Sequence, residues 1–268
     1  AHLVRAVGEP ERRFEEDALR ILRLYRFAAR FGFAIDPATG AAARALGPHL
    51  DCVSAERIQE ELLKLLAAPR PGSYLEPAVL AVILPELEPE KQPERFAELC
   101  RTIDRIEPTA ENVPARLAAL LCPLGEAGAR KALRKLKCSN ALTDEVTALE
   151  REAPGTPGSE MQLTAKRLLG RYELQTIQRL TALCSARHPE QTGAFAALRA
   201  EAERLTAENA CCRVSQLAVN GRDLMAAGVR PGPGLRQVLN ALLEAVITGQ
   251  TPNEKDALLA AAAQFSAS

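Results

Sequence analysis

Apolar residues along this chain recur mostly three and four positions apart, the spacing of one face of an α-helix. The first such segment runs from about Pro10 to Arg30, with Leu22, Leu24, Tyr25, Ala28 and Ala29 among the residues that can enter a core. Asp36-Pro37 reads as an N-cap followed by proline at the first helical position, and Gly47-Pro48 closes that helix. Ser54 caps a third, Ala55 to Ala67, which carries Ile58, Leu62, Leu65 and Leu66 at helical spacing. Further helical patterns cover 75–84, 95–106, 113–121, 127–136 and 142–150, then 164–169, 173–186, 193–211 and a pair after Gly221. Proline and glycine interrupt the series at 69–73 and, more heavily, at 153–159. There is no period-two strand pattern of useful length and no repeat of fixed period. The predicted fold class is all-α, an elongated array of consecutive helical subdomains over 1–68, 69–152 and 153–268.

Composition narrows the class without changing the fold. Apolar residues at 47% and charged residues at 25% are those of a globular protein with a real core, which excludes intrinsic disorder and fibrous folds. Lys plus Arg and Asp plus Glu both total 34, so a polyanion-wrapped protein is disfavoured while local basic faces stay open. The seven cysteines include no C-x-x-C, and His2, His49 and His188 lie far apart, which argues against a disulfide framework or a zinc cluster. Reduced thiols serving as small core residues in the cytoplasm are the expectation. No run of about 20 uncharged apolar residues is present, so no membrane span is expected. The chain opens with Ala1-His2-Leu3, which reads as a fragment with its natural start upstream.

Candidate chemistry concentrates in Glu15-Glu16-Asp17-x-x-Arg20-x-x-Arg23-x-x-Arg26-Phe27. At helical spacing Arg20, Arg23, Arg26 and Arg30 share a face about 120° wide, with Asp17 one turn before Arg20 at its edge. Such a stripe can be a solvated surface, with Glu16 and Asp17 pairing to Arg20 along the helix. It can also read a base. Cytosine and adenine each present an exocyclic amino donor beside a ring-nitrogen acceptor. Asp17 could accept from the amino group while Arg20 donates to the ring nitrogen. Uracil and guanine present the reverse order and would leave both groups unpaired, at a cost of a few kcal/mol. The arginines that follow could meet a triphosphate or an RNA backbone.

These residues, preceded by Leu3-Val4-Arg5-Ala6-Val7-Gly8-Glu9-Pro10 and Arg13-Phe14, resemble the neck of class II (bacterial) CCA-adding tRNA nucleotidyltransferases. Poly(A) polymerases of the same superfamily share much of the pattern. The resemblance implies that Asp17, Arg20, Arg23 and Arg26 contact the incoming CTP or ATP. Val53-Ser54-Ala55-Glu56-Arg57, with Glu61 beyond it, is similar to the family's next helix, which implies support of that motif by Glu16, Glu56, Arg57 and Glu61. The implied activity is transfer of CMP and AMP to the 3′ end of tRNA. It requires Mg²⁺ held by a pair of aspartates one residue apart on an N-terminal catalytic head. The aspartates here, at 17, 36, 51, 104, 144, 223 and 256, supply no such pair, so no catalytic or metal-binding residue is assigned. The expected parts are neck (1–68), body (69–152) and tail (153–268), inactive alone and dependent on a head in the same or a separate chain.

Within the body, Cys122-Pro123 stands where some relatives carry a His-Asp metal motif, so phosphohydrolase activity is not expected. Arg130, Lys131, Arg134, Lys135 and Lys137 form a basic face that is either solvated surface or a tRNA phosphate contact. In the tail, Pro231-Gly232-Pro233-Gly234 opens a helix with bare N–H groups. With Gly232, Gly234 and Arg236, this is either a plain turn or a phosphate seat. Rival readings are a poly(A) polymerase, an enzyme adding only CC or only A, a non-catalytic tRNA-binding module or half of a split enzyme, and a helical protein-interaction domain.

Overall fold

The computed structural model describes residues 2–153 and 160–265. Within them the chain forms fifteen α-helices and a pair of two-residue strands, so the all-α expectation holds. The chain divides into two compact units, Ala1–Gly155 with Ala182–Thr192, and Thr156–Thr181 with Gly193–Ser268. The Pro/Gly-rich break at 153–159 lies, beyond Ala153, outside the described residues. No described helix is long and apolar enough to cross a membrane.

The first unit opens with strand β1 (Leu3–Val4), which pairs in parallel with β2 (Ala34–Ile35). The single helix expected from Pro10 to Arg30 is two, α1 (Pro10–Glu16) and α2 (Leu19–Phe31). Between them Asp17 is extended, at φ −154° and ψ 99°. Its carboxylate accepts the Leu19 N–H at 3.2 Å and its carbonyl accepts the Arg20 N–H at 3.0 Å. The aspartate caps α2 instead of continuing α1, the competition that makes Asp a poor helix-interior residue. α2 buries Leu19, Ile21, Leu22, Leu24, Tyr25, Ala28 and Ala29, and ends at Gly32 in the left-handed region at φ 65°.

Asp36 caps α3 (Pro37–Ala45) by accepting the Thr39 N–H at 3.0 Å. Ser54 sits at the N-cap of α4 (Ala55–Leu66), but its side chain makes no capping bond. Helices α5 (Pro77–Ile83), α6 (Pro93–Arg105), α7 (Val113–Leu121), α8 (Gly125–Lys135) and α9 (Asn140–Glu152) follow. α4 packs between α2 and α7, and α9 packs on α7 and α8. Within the composition-marked break at 69–73, Pro71 and Gly72 are buried. Gly72 donates its N–H to Asp104 at 2.7 Å, and a Cβ there would overlap the carbonyl oxygen of Cys100. On α7 the fully buried Arg116 donates to the carbonyls of Leu66 (2.7 Å), Ala68 (2.6 Å) and Ile106 (2.5 and 3.1 Å). One guanidinium thus satisfies acceptors left free where α4 and α6 end. Its charge faces the negative ends of both helices.

The second unit contains α10 (Met161–Arg171), the first part of α11 (Leu174–Arg187), α12 (Thr192–Ala207), α13 (Gly221–Ala226), α14 (Pro233–Ile247) and α15 (Lys255–Phe265). Leu224, Val238, Leu242, Val246 and Leu258 form the core that joins its last three helices. All seven cysteines are free thiols. Cys184 and Cys212 are buried, Cys100, Cys138 and Cys211 are half-buried, and the expectation that the cysteines mostly fill the core is corrected for the exposed Cys52 and Cys122.

Candidate functional site

The site is built where α1, α2 and α4 of the first unit meet. Helical spacing sets Arg20, Arg23 and Arg26 on one side of α2, and α4 brings Arg57, Glu61 and Lys64 against it. The result is a chain of alternating charges. Asp17 Oδ1 lies 3.5 Å from Arg57 Nη2, and Asp17 Oδ2 lies 3.7 Å from Arg23 Nη1. Arg23 Nε lies 3.5 Å from Glu61 Oε1, and Arg26 Nε donates to Glu61 Oε2 at 2.6 Å. Lys64 Nζ stands 4.0 Å from the same carboxylate, which is buried.

Of the two pairs that helical spacing offers Arg20, the structure makes the one to Glu16. Arg20 Nη1 donates to Glu16 at 2.9 Å and to the carbonyl of Arg13 at 3.1 Å. Hydrogen bonds from Arg20 and then Arg13 hold the Glu16 carboxyl below the usual carboxylate range. The break at Asp17 sets the Asp17 carboxylate against Arg23 and Arg57. Arg13, to which the sequence analysis assigns no role in the site, also donates to the Val7 carbonyl at 3.0 Å, so it clasps the segment after β1 to α1. Its place three residues before Glu16 is the signal that could have found it.

A pocket of about 370 Å³ opens beside this network, lined by Arg5, Arg13, Arg20, Arg23 and Phe27 together with Val4–Val7, Phe14, Leu24 and Thr39. Four guanidinium groups at one apolar-floored hollow suit a planar ring carrying phosphates. Asp17 stands beside this pocket, against Arg23, and does not line it. Arg26 faces Glu61 and lays its guanidinium 4.1 Å from the Phe27 ring centroid. Glu56 is exposed and joins none of these pairs. Among the described residues no group of three or more His, Cys, Asp or Glu could hold a metal ion.

The basic face on α8 is not uniform. Arg130 is committed inside the protein, to Asp144 at 3.0 Å and the Thr147 hydroxyl at 2.8 Å. Lys131, Arg134 and Lys135 are exposed. In the second unit Gly232 begins α14 at φ 133° with no side-chain cap, and Gly234 and Arg236 are exposed beside it.

Residues 109–262 match the tRNA nucleotidyltransferase domain 2 family, and residues 32–91 match the family described as "Probable RNA and SrmB- binding site of polymerase A". The chain is 31% identical over 270 residues to the CCA-adding enzyme of Geobacillus stearothermophilus, covering 96% of this chain and 62% of that one. The crystal structure of the Bacillus stearothermophilus CCA-adding enzyme in complex with CTP superposes with a TM-score of 0.80 at 30% identity, over 98% of this chain and 65% of that one. The Thermotoga maritima CCA-adding enzyme complexed with tRNA shares the fold, with a TM-score of 0.62 at 19% identity, over 98% and 64% of the two chains. The chain thus spans less than two thirds of the length of these relatives.

Proposed function

The chain belongs to the tRNA nucleotidyltransferase family, and from that premise we propose that it is the nucleotide-selecting and tRNA-binding part of an enzyme that adds CMP and AMP to the 3′ end of tRNA. The observation that carries this is the Asp17–Arg23–Glu61–Arg26 network beside a pocket lined by Arg20 and Arg23. Asp17 accepts from the exocyclic amino group of cytosine or adenine, Arg20 donates to the ring nitrogen, and Arg23 meets the phosphates. Arg26, Glu61 and Arg57 fix the angle of these groups, with Glu16 setting Arg20. The CTP complex of the Bacillus stearothermophilus relative supports the nucleotide, and the tRNA complex in the Thermotoga maritima structure agrees with the acceptor.

In this reading residues 1–68 are the neck, 69–152 the body and 153–268 the tail. Lys131, Arg134 and Lys135, together with the Gly232, Gly234 and Arg236 turn, contact tRNA phosphates, with Arg130 bracing α8. A catalytic head, in the same or a separate chain, supplies the Mg²⁺-binding carboxylates, and the setting is the cytoplasm. The polymerase A match over 32–91 favours one second reading, a poly(A) polymerase that takes ATP alone.

Saturation-transfer NMR of this chain with CTP, ATP, GTP and UTP tests the reading. CTP and ATP should bind at least about tenfold more tightly than the other two, since a mismatched edge leaves two polar groups unpaired. Asp17→Ala should remove the difference. ATP without CTP would select the polymerase reading, and four equal affinities in the unaltered chain would overturn both.

A further inference from the structure

Beside the proposed nucleotide pocket a file of aromatic rings runs along the surface of the first unit. Phe27 and Phe31, one helical turn apart on α2, stack with centroids 6.2 Å apart and planes 5° from parallel. Phe33 follows at 5.6 Å from Phe31, and His2 closes the file edge-on at 4.9 Å from Phe33. These rings are not core. Phe27 is 37% exposed and Phe31 54%, while the leucines and alanines on the other side of α2 are buried. A pair of parallel phenyl rings in water calls for a partner.

The surroundings specify its chemistry. On one flank Phe27 lines the pocket that holds Arg20 and Arg23. On the other, the Arg26 guanidinium lies 4.1 Å from the Phe27 centroid and that of Arg30 lies 5.8 Å from Phe31. Arg26, Arg30 and Lys64 line a second groove of about 460 Å³. Arg26 is engaged by Glu61, and the exposed cations of that groove are Arg30 and Lys64, the latter in a surface pair with Glu60 at 3.3 Å. An apolar protein partner would meet guanidinium groups set among the rings and would have to desolvate them. A polyanion whose repeat unit is a flat ring joined to a phosphate matches both components at once. Unpaired nucleic acid is that polymer.

We propose that Phe27 and Phe31 are a stacking platform for the unpaired nucleotides at the 3′ end of the RNA substrate, with Arg30 and Lys64 meeting their phosphates. The proposal rests on the RNA-directed reading above and adds a subsite to it. Stacking accepts every base because every base has a π-face. The platform therefore holds the growing end whatever nucleotide was added last, while Asp17 and Arg20 keep the choice of the next. Phe31 lies about one turn beyond Phe27 on the same face, so the end it holds leads directly to the pocket that Phe27 lines.

The test is fluorescence anisotropy of this chain with two 5′-labelled RNA hairpins of identical duplex, one blunt and one with an unpaired 3′ tail of about four nucleotides, enough to cover two rings. The unaltered chain should prefer the tailed hairpin. Phe31→Ala should weaken the tailed complex about five- to a hundredfold and leave the blunt one unchanged. Phe31→Trp should retain the preference. Phe31 is exposed, and an unchanged thermal midpoint of the variant confirms that folding is not being read. A tail preference that survives Phe31→Ala overturns the platform alone and leaves the rings to a protein segment. Failure of the unaltered chain to bind either hairpin overturns the RNA-directed reading together with the platform.

Discussion

Glu61 is the residue on which the geometry of the proposed site turns. Its carboxylate is buried, accepts from Arg26 at 2.6 Å and stands within 3.5 Å of Arg23 and 4.0 Å of Lys64. Three cations converge on it, of which Arg26 is the most buried, while Arg23 and Lys64 are more exposed and also reach Asp17 and Glu60. Removing the carboxylate leaves the largely buried Arg26 guanidinium desolvated and unpaired, which is far more destabilising than the pair itself is stabilising. Glu61→Gln, nearly isosteric but neutral, should therefore lower the stability of the first unit by about 3 kcal/mol. Urea unfolding followed by circular dichroism measures this directly. A loss under about 0.5 kcal/mol, the scatter of an ordinary surface substitution, would mean that the three cations are independently solvated. The sequence placed Glu61 near the motif only through a family resemblance. Nothing in its own helix says that Arg26 sits thirty-five residues earlier, because helical spacing speaks only to neighbours three and four positions away.

At the scale of elements, the helices were legible wherever apolar spacing and local punctuation agreed. Asp36-Pro37 starts α3 as read, and the run 113–121 is α7 to the residue. Where a polar side chain could serve the backbone in either of two ways, the pattern misled. Asp17 caps a new helix inside what reads as one continuous stripe, and Ser54 occupies a cap position without capping. The strand pair was invisible because two residues have no period. Arg116 was hidden in an apolar run, its burial made tolerable by carbonyls at the ends of two other helices. The second unit offers a test of one such link between elements. Asp223, in a capping box with Asn220, accepts from Lys255 at 2.6 Å and so ties α13 to the start of α15. The Lys255 hydrogen bond, then the Asn220 N–H, holds its carboxyl below the usual carboxylate range. A lowered native pKa contributes stability above the unfolded-state value of about 3.9 and loses it as the pH falls through the native value. Asp223→Asn should therefore unfold at lower urea than the unaltered chain at neutral pH. The gap should close progressively below about pH 4, where the native carboxylate is protonated too. A gap that persists undiminished at about pH 2 would show that the carboxylate charge is not what joins these helices.

For the whole molecule, a formal charge of zero conceals how the 34 cations are used. Many are matched by carboxylates of their own helix or a neighbouring one, as Arg204 is by Glu201 and Glu208. Arg130 belongs to this class although its sequence context suggested a free basic face, since its partners Asp144 and Thr147 lie on α9. Lys131, Arg134 and Lys135 on the same helix are exposed and so offer charge to a partner. Only cations of this second kind free the counterions condensed on a polyanion, because a guanidinium already neutralised by a carboxylate brings little net charge to a phosphate. Changing Lys131, Arg134 and Lys135 together to serine should therefore flatten the dependence of log K for tRNA on log salt by about two to three units, roughly 0.7–0.9 for each phosphate left without its cation. Anisotropy titrations between about 50 and 200 mM KCl resolve such a change. Arg130→Ser should act in the opposite way, lowering the stability of the α8–α9 pair while leaving the salt slope of the folded protein where it was. If the triple variant keeps the full slope, the phosphates are met elsewhere, and the exposed cations around α2 and the start of α14 become the next faces to neutralise.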